Sequence, residues 1–324
     1  MRRDKNQIPV SIGLVGIGLV GTVLAEHFLA NGLEVIGYDV DGERLDCLKR
    51  MGGSCAEGPG EIAGRVNHVV LSLPDTAVVR EVIEGANGIL HAARKPSYII
   101  DTTTGDPDDI VALAQRLAEN QVWFLDATIC GASSQLQKRE AVFMVGGEPS
   151  AYKACAGLLR LLAKRVFYVG ASGCGSKAKL ATNLVLGLNR LALAEGMVFA
   201  EKLGLSLKTF LRLLKVGPAY SAAVDVKGEK MLNNDFEPVS RIRQHHKDVS
   251  LILKHAKRHN QHLPLSNVHL GILEKAIAAG DGGLDTSAVI KEIRRGGATP
   301  PISNIPVKGT SHEHKEDPLT AQFS

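Results

Sequence analysis

Residues 10–32 read VSIGLVGIGLVGTVLAEHFLANG, and the three glycines in the middle decide the fold. VSIGLV (10–15) is short, apolar and partly β-branched, as a buried parallel strand should be. Gly16, Gly18 and Gly21 follow as GxGxxG. TVLAEHFLANG then has helical spacing and stops at Gly32. Glycine triplets alone are common. Between a strand and a helix, with Asp39 closing the next strand eighteen residues beyond Gly21, they form a dinucleotide-binding fingerprint. Gly16 permits the tight turn, Gly18 lets the backbone approach a pyrophosphate, and Gly21 lets the helix pack close to the strand. The helix start, with Ile17, Leu19 and Val20, offers free N–H groups to phosphate oxygens.

Asp39 is placed to accept hydrogen bonds from the adenosine ribose hydroxyls. A 2′-phosphate there would meet a carboxylate, a repulsion of about 1–4 kcal/mol at close range. Val40 stands where a phosphate-binding arginine often sits, although Arg44 starts the next helix nearby. NAD is therefore expected ahead of NADP.

Outward from this stretch the chain alternates. EVIGYD (34–39), HVVLSLP (68–74), SYIIDTT (97–103) and VWFLDA (122–127) read as strands. ERLDCLKRMGG, TAVVREVI and PDDIVALAQRLAENQ read as the helices between them. This alternation predicts an α/β Rossmann-type domain with a doubly wound parallel sheet. After AVFMVGG and RVFYVG the alternation ends, and nearly everything from Lys177 to Arg295 reads as helix. A long helix over 177–203 should join the halves. The expected organisation is a nucleotide-binding domain over 8–172, an all-α domain over 173–297 and a disordered tail over 298–324. His312 and His314 fall in that tail and read as solvated.

The chain has 324 residues, 44% hydrophobic and 22% charged, an ordinary balance for a two-domain globular protein. The net charge of +4 is scattered rather than clustered, which gives no support to a nucleic-acid partner. MRRDKNQIP lacks the apolar core of a signal peptide, and no window free of charges and glycines is long enough to span a membrane. The five cysteines form an odd set without CxxC, which fits free thiols in a reducing cytoplasm.

GCGSKAKLATN (173–183) poses a charge problem, because Lys177 and Lys179 open a run that reads as a largely buried helix. A buried ammonium is costly unless paired or used. Asn183 lies one turn beyond Lys179 on the same face. Lys177 reads as a surface lysine. Lys179 is open at this point to two readings, a first-turn surface charge or a proton-transfer group. His245 and His246 suggest a metal at a glance, but adjacent helical residues do not face one site, and no metal is expected.

With these residues in place the chain resembles the β-hydroxyacid dehydrogenases, the family of 3-hydroxyisobutyrate dehydrogenase and tartronate semialdehyde reductase, with a helical domain like that of 6-phosphogluconate dehydrogenase. GLVGIGLVG (13–21) looks like the family's glycine opening, and DATICGASSQLQKREAVFMVGG (126–147) resembles its substrate loop. GCGSKAKLATN matches its catalytic segment, and HKDVSLILKHA (246–256) its KDL helix. The resemblance implies Lys179 as general acid/base with Asn183 beside it. It implies Cys130, Gly131, Ala132 and Ser133 at the substrate, and Leu73, Pro74, Asp75, Thr104 and Lys247 at the cofactor. It also implies a small hydroxy acid or aldehyde substrate and a homodimer or homotetramer.

Two departures stand out. Cys130–Gly131–Ala132 replaces the usual Ser–Gly–Gly, and Arg139–Glu140–Ala141 replaces Gly–Thr–Leu. The alternatives are a reductase of a bulkier or doubly anionic aldehyde or sugar acid, an imine reductase on the same fold, and a non-catalytic cofactor-binding module.

Overall fold

The structure, a computed structural model, describes residues 10–296; the expected tail and its two histidines lie outside the described residues. The first half runs β1 (Ser11–Val15), α1 (Leu19–Ala30), β2 (Glu34–Tyr38), α2 (Gly42–Arg50), β3 (Ser54–Cys55), α3 (Pro59–Arg65), β4 (His68–Leu71), α4 (Thr76–Glu84), β5 (Tyr98–Asp101) and α5 (Pro107–Glu119). It continues with β6 (Trp123–Cys130), α6 (Ser133–Gln137), β7 (Val142–Gly147), α7 (Pro149–Leu162) and β8 (Arg165–Gly170). The second half is helical: α8 (Cys174–Lys202), α9 (Leu207–Val216), α10 (Ala222–Asn233), α11 (Ile242–Arg258), α12 (Pro264–Ala278) and α13 (Val289–Gly296).

The eight strands form one sheet in the order β3-β2-β1-β4-β5-β6-β7-β8. The order reverses around β1 and β4, the switch point at which open α/β sheets bind ligands. One apolar cluster packs α1 and α7 on one face, through Phe28, Leu24, Leu158 and Leu159. A second packs α3, α4 and α5 on the other, through Ile62, Val79, Ile83, Ile110 and Leu117.

The sheet departs from a purely parallel one at β7, which pairs antiparallel with β6 from Leu125↔Gly147 to Cys130↔Val142. The reason is the connection. Residues 131–141 contain only the five-residue α6, too little for the crossover that a parallel return requires. β8 then returns parallel to β7 across α7.

α8 is long and apolar enough to cross a membrane by length and composition. Here it is the core helix of the second half, packed on β6, β7, α10, α11 and α13. Its first turn is tied to the sheet. Asp126 on β6 accepts from Gly173 N at 3.0 Å and from Ser176 N at 2.8 Å, so a strand carboxylate satisfies N–H groups that a helix start leaves free.

Candidate functional site

The glycine turn has the geometry its spacing implies. Gly16 sits at φ +91°, and a Cβ there would lie 2.2 Å from Ser72 O. A Cβ on Gly21 would lie 2.0 Å from Gly16 O, so both positions exclude any side chain. Gly18 is different, since its side is open and its nearest neighbour would be Arg44 Nη1 at 3.7 Å. Open backbone at the start of α1 is a cradle of the kind a pyrophosphate fills. Asp39 is buried at the end of β2. Its Oδ2 accepts from Ile17 N at 2.6 Å, and its Oδ1 accepts from Asp41 N at 3.0 Å. Arg44 Nη1 adds a contact to Oδ2 at 3.4 Å, while Val40 is 91% exposed.

The second half reaches this cleft through α11. Lys247 Nζ donates to Thr104 O at 2.8 Å and to Pro74 O at 3.2 Å, bridging the loops after β5 and β4. Leu73 N donates to Thr103 Oγ1, and the Asp75 side chain caps α4 through Val78 N. Two turns further along α11, Lys254 and His255 grip Asp106 at 2.7 and 2.8 Å, and Arg258 holds Asp108. Burial alone would raise the Asp106 carboxyl. The bonds from Lys254, Asp108 N and His255 outweigh it and hold the carboxyl low. Asp106, Asp108 and His255 are close enough together to resemble a metal cluster. Their partners are cations of α11, so the group reads as an interdomain tie.

Lys177 is exposed and Lys179 is buried at 8% exposure. Lys179 Nζ donates to Ile129 O at 2.5 Å, at the end of β6 and one residue before Cys130. Burial lowers its pKa. Cys130 and Asp248 counter that effect, and Lys247 adds to it. Asn183 donates from Nδ2 to Asp248 Oδ2 at 2.9 Å rather than to the lysine. Lys247 Nζ lies 3.1 Å from Asp248 Oδ1 as an ion pair. A series of contacts therefore runs from Thr104 and Pro74 through Lys247 and Asp248 to Asn183, and Lys179, one helical turn before Asn183 on α8, holds Ile129 instead.

The loop after β6 differs from expectation in one respect. Ala132 takes φ −79°, so the methyl in place of glycine costs no left-handed strain. Its N–H donates to Gln135 Oε1 at 2.9 Å. The strain falls on Arg139 instead, an arginine at φ +60° where the resembling loops carry glycine. Cys130, Ala132 and Ser133 are half-buried and Gly131 is exposed.

The sequence reading missed several groups. Asp101, opposite Asp126 in the β5–β6 register, is fully buried. Burial pushes its carboxyl up to about 7 against bonds from Thr103 that pull it down. In the helical half Arg190, Lys227, Asp285 and Thr286 are buried together with His245 and Asp248, which the sequence reading had met only singly. They come from four segments of chain, and no local spacing announces the cluster.

Two family models together cover the described chain. The NAD binding domain of 6-phosphogluconate dehydrogenase matches residues 11–170, and the NAD-binding domain of NADP-dependent 3-hydroxyisobutyrate dehydrogenase matches residues 173–293. The chain is 29% identical to 2-(hydroxymethyl)glutarate dehydrogenase of Eubacterium barkeri, over 87% of this chain and 94% of that one. It is 28% identical to 2-hydroxy-3-oxopropionate reductase of Escherichia coli, over 88% and 97%. Among solved structures, 3-hydroxyisobutyrate dehydrogenase from Salmonella typhimurium superposes with a TM-score of 0.79 at 27% identity, over 87% of this chain and 99% of that one.

Proposed function

This chain belongs to the β-hydroxyacid dehydrogenase family, and we propose that it interconverts a small 3-hydroxy acid and its semialdehyde. The observation that carries the reading is the buried Lys179, one helical turn before an Asn183 that Asp248 and Lys247 tie to the loops at the switch point of the sheet. A nicotinamide dinucleotide fits the open backbone at Gly18 and the acceptor Asp39, and when bound it exchanges hydride with the substrate carbon.

The proton is the protein's task. Lys179 takes it from the hydroxyl in oxidation and returns it to the carbonyl oxygen in reduction. A free lysine titrates near 10.4, too high for a good base, and burial moves this one in the useful direction. Asn183, fixed by Asp248, orients the substrate oxygen. Cys130, Gly131, Ala132 and Ser133 line the substrate side. Gly16, Ile17, Gly18, Leu19, Val20, Asp39, Leu73, Pro74, Asp75, Thr104 and Lys247 serve the cofactor.

NAD is preferred to NADP in this reading because Asp39 faces the ribose hydroxyls. Arg44 narrows the preference by offsetting part of the carboxylate charge. A homodimer or homotetramer is supported by the exposed Phe199, Leu203, Leu213 and Val216 along α8 and α9. A reducing cytoplasm is supported by five unpaired cysteines.

The test is a screen of NAD(H)-linked turnover over 3-hydroxy acids and their aldehydes. Turnover of one such acid that disappears in Lys179→Ala is the expected result. A protein that binds NADH but turns over none of them sinks the assignment and leaves the cofactor-binding module. A doubly anionic substrate, the second reading, is favoured by one observation in the helical half, Arg190.

A further inference from the structure

We propose that Arg190 and His245 form a second anion-receiving subsite, which takes a carboxylate at the end of the substrate far from the reacting carbon. The proposal rests on the hydroxy-acid reading above and narrows its substrate class to dicarboxylic hydroxy acids.

Arg190 is 5% exposed. Its Nη1 donates to Thr286 Oγ1 at 2.9 Å, and its Nη2 has no protein partner. No described carboxylate lies within ion-pair distance of it. The buried acids around it are committed elsewhere. Asp285 holds Lys227 Nζ with both oxygens, at 2.8 and 3.0 Å, and also accepts from Val239, Ser240 and Ser287 N–H groups. Asp248 holds Asn183 and Lys247.

A guanidinium keeps its proton even when buried. Burial lowers this one only to about 10, so it is charged at neutral pH. A purely structural bridge to Thr286 needs one donor and no charge. Asp285 and Asp248 favour the charge only through space, so the unpartnered Nη2 is the feature that asks for a use.

His245 supplies the second, independent observation. It is 7% exposed and its Nε2 has no protein partner. The ring lies against α8 at Gly187, where a Cβ would come within 2.6 Å of Nε2, and its centroid is 5.1 Å from that of His269. Burial holds it neutral, and the positive charges of Arg190, Lys179 and Lys227 act in the same direction. A neutral imidazole with a free nitrogen beside an unpaired guanidinium can donate to an anion without adding charge. A single guanidinium without a direct carboxylate partner matches the single charge of a carboxylate better than the nearly double charge of a phosphate group.

Position completes the case. Lys179, Asn183, Gly187 and Arg190 follow one another at helical spacing along one stripe of α8. Asn183 and Arg190 are separated by roughly 10 Å of helix rise. Long helical side chains lean toward the N-terminus of their helix, the side on which Asn183 stands. A short dicarboxylic skeleton spans that interval.

The experiment is calorimetric titration of the NADH-loaded full chain with 3-hydroxyglutarate and with 3-hydroxybutyrate, which differ in the second carboxylate. The wild type should bind 3-hydroxyglutarate at least about tenfold more tightly, the worth of a charge-assisted hydrogen bond. Arg190→Met should remove that preference and leave 3-hydroxybutyrate affinity within about threefold. Arg190→Lys and His245→Phe should reduce the preference, and they carry the test if Arg190→Met does not fold. Equal binding of the two acids by the wild type, or an undiminished preference in the variants, overturns the subsite. Binding is read without turnover, so failure of the subsite is separate from failure of the dehydrogenase reading, which the activity screen decides.

Discussion

The two halves bury charge in opposite ways. In the sheet half, backbone N–H groups answer the buried carboxylates: Ile17 and Asp41 meet Asp39, Gly173 and Ser176 meet Asp126, Thr103 meets Asp101, and Asp108 meets Asp106, which α11 side chains also grip. In the helical half the buried groups are mostly side chains answering side chains, Asn183 with Asp248, Lys227 with Asp285 and Arg190 with Thr286. There the cationic Arg190 Nη2 and the His245 Nε2 remain without a protein partner, as Asp101 Oδ2 does in the sheet half. Backbone donors cannot move aside, so the first arrangement holds loops in place. Side-chain partners can be exchanged for a ligand, so the second can receive one. In the proposed reading the proton-transfer pair stands on the helical side of the β8–α8 junction, while the cofactor turn and the substrate loop stand on the other.

The comparison breaks first at Lys179. If the helical half carries the chemistry, Lys179→Ala lowers kcat by about 10²–10⁴ in steady-state assays. NADH affinity should stay near wild type, because the glycine turn and Asp39 belong to the other half. Lys177→Ala should be nearly silent, since that residue is exposed two positions away. A Lys179→Ala enzyme with near wild-type kcat would falsify the proton-transfer role.

The next effect is on stability, in the sheet half. The Asp101 carboxyl is raised to about 7 by burial, above its ordinary unfolded value near 3.9. The neutral form stabilises the fold fully below about pH 4, and that contribution is lost as pH rises through about 7. Asp101→Asn mimics the neutral form at every pH. Its gain in stability over wild type should be small below about pH 4, grow to a few kcal/mol by about pH 7 and level off above. Denaturant melts across that range measure it, and a gain that does not change with pH rules the account out.

Smaller effects separate the substrate and cofactor sides. Alkylation of Cys130 should block turnover, and bound substrate should protect against it. A Cys130→Ser enzyme that the reagent inactivates at the wild-type rate points instead to Cys174, which stands at the start of α8. Smallest is Arg44→Ala. Loss of a half-exposed contact to Asp39 should weaken NADP(H) binding several-fold and leave NAD(H) almost unchanged. If titrations show both cofactors weakened equally, Arg44 serves the shared adenosine and not the discrimination.

What could be read from the chain follows the same division. The glycine turn, Asp39 and the strand-helix alternation are local patterns, and the sheet half grew from them. The direction of β7 was not legible, because AVFMVGG reads as a strand either way and the short 131–141 connection decides. β3, two residues long, leaves no periodicity to detect. Lys179 and Asn183 were legible as one turn of one helix. Asp248 stands 65 residues from Asn183, and Thr286 stands 96 residues from Arg190. Such partners meet only after α8, α10 and α11 have packed, so no window of sequence displays them.

One consequence follows from the way α8 crosses the junction. Its first turn is pinned to β6 by Asp126, and Lys179 leans on Ile129 of the same strand. Asn183, a single turn later, is anchored to α11. The lysine's partner therefore belongs to the sheet and the asparagine's to the helices. The relative placement of the two side chains is thus set within four residues of one helix by partners from both halves. That turn acts as a vernier, and the grip of α11 on Asp106 sets its zero.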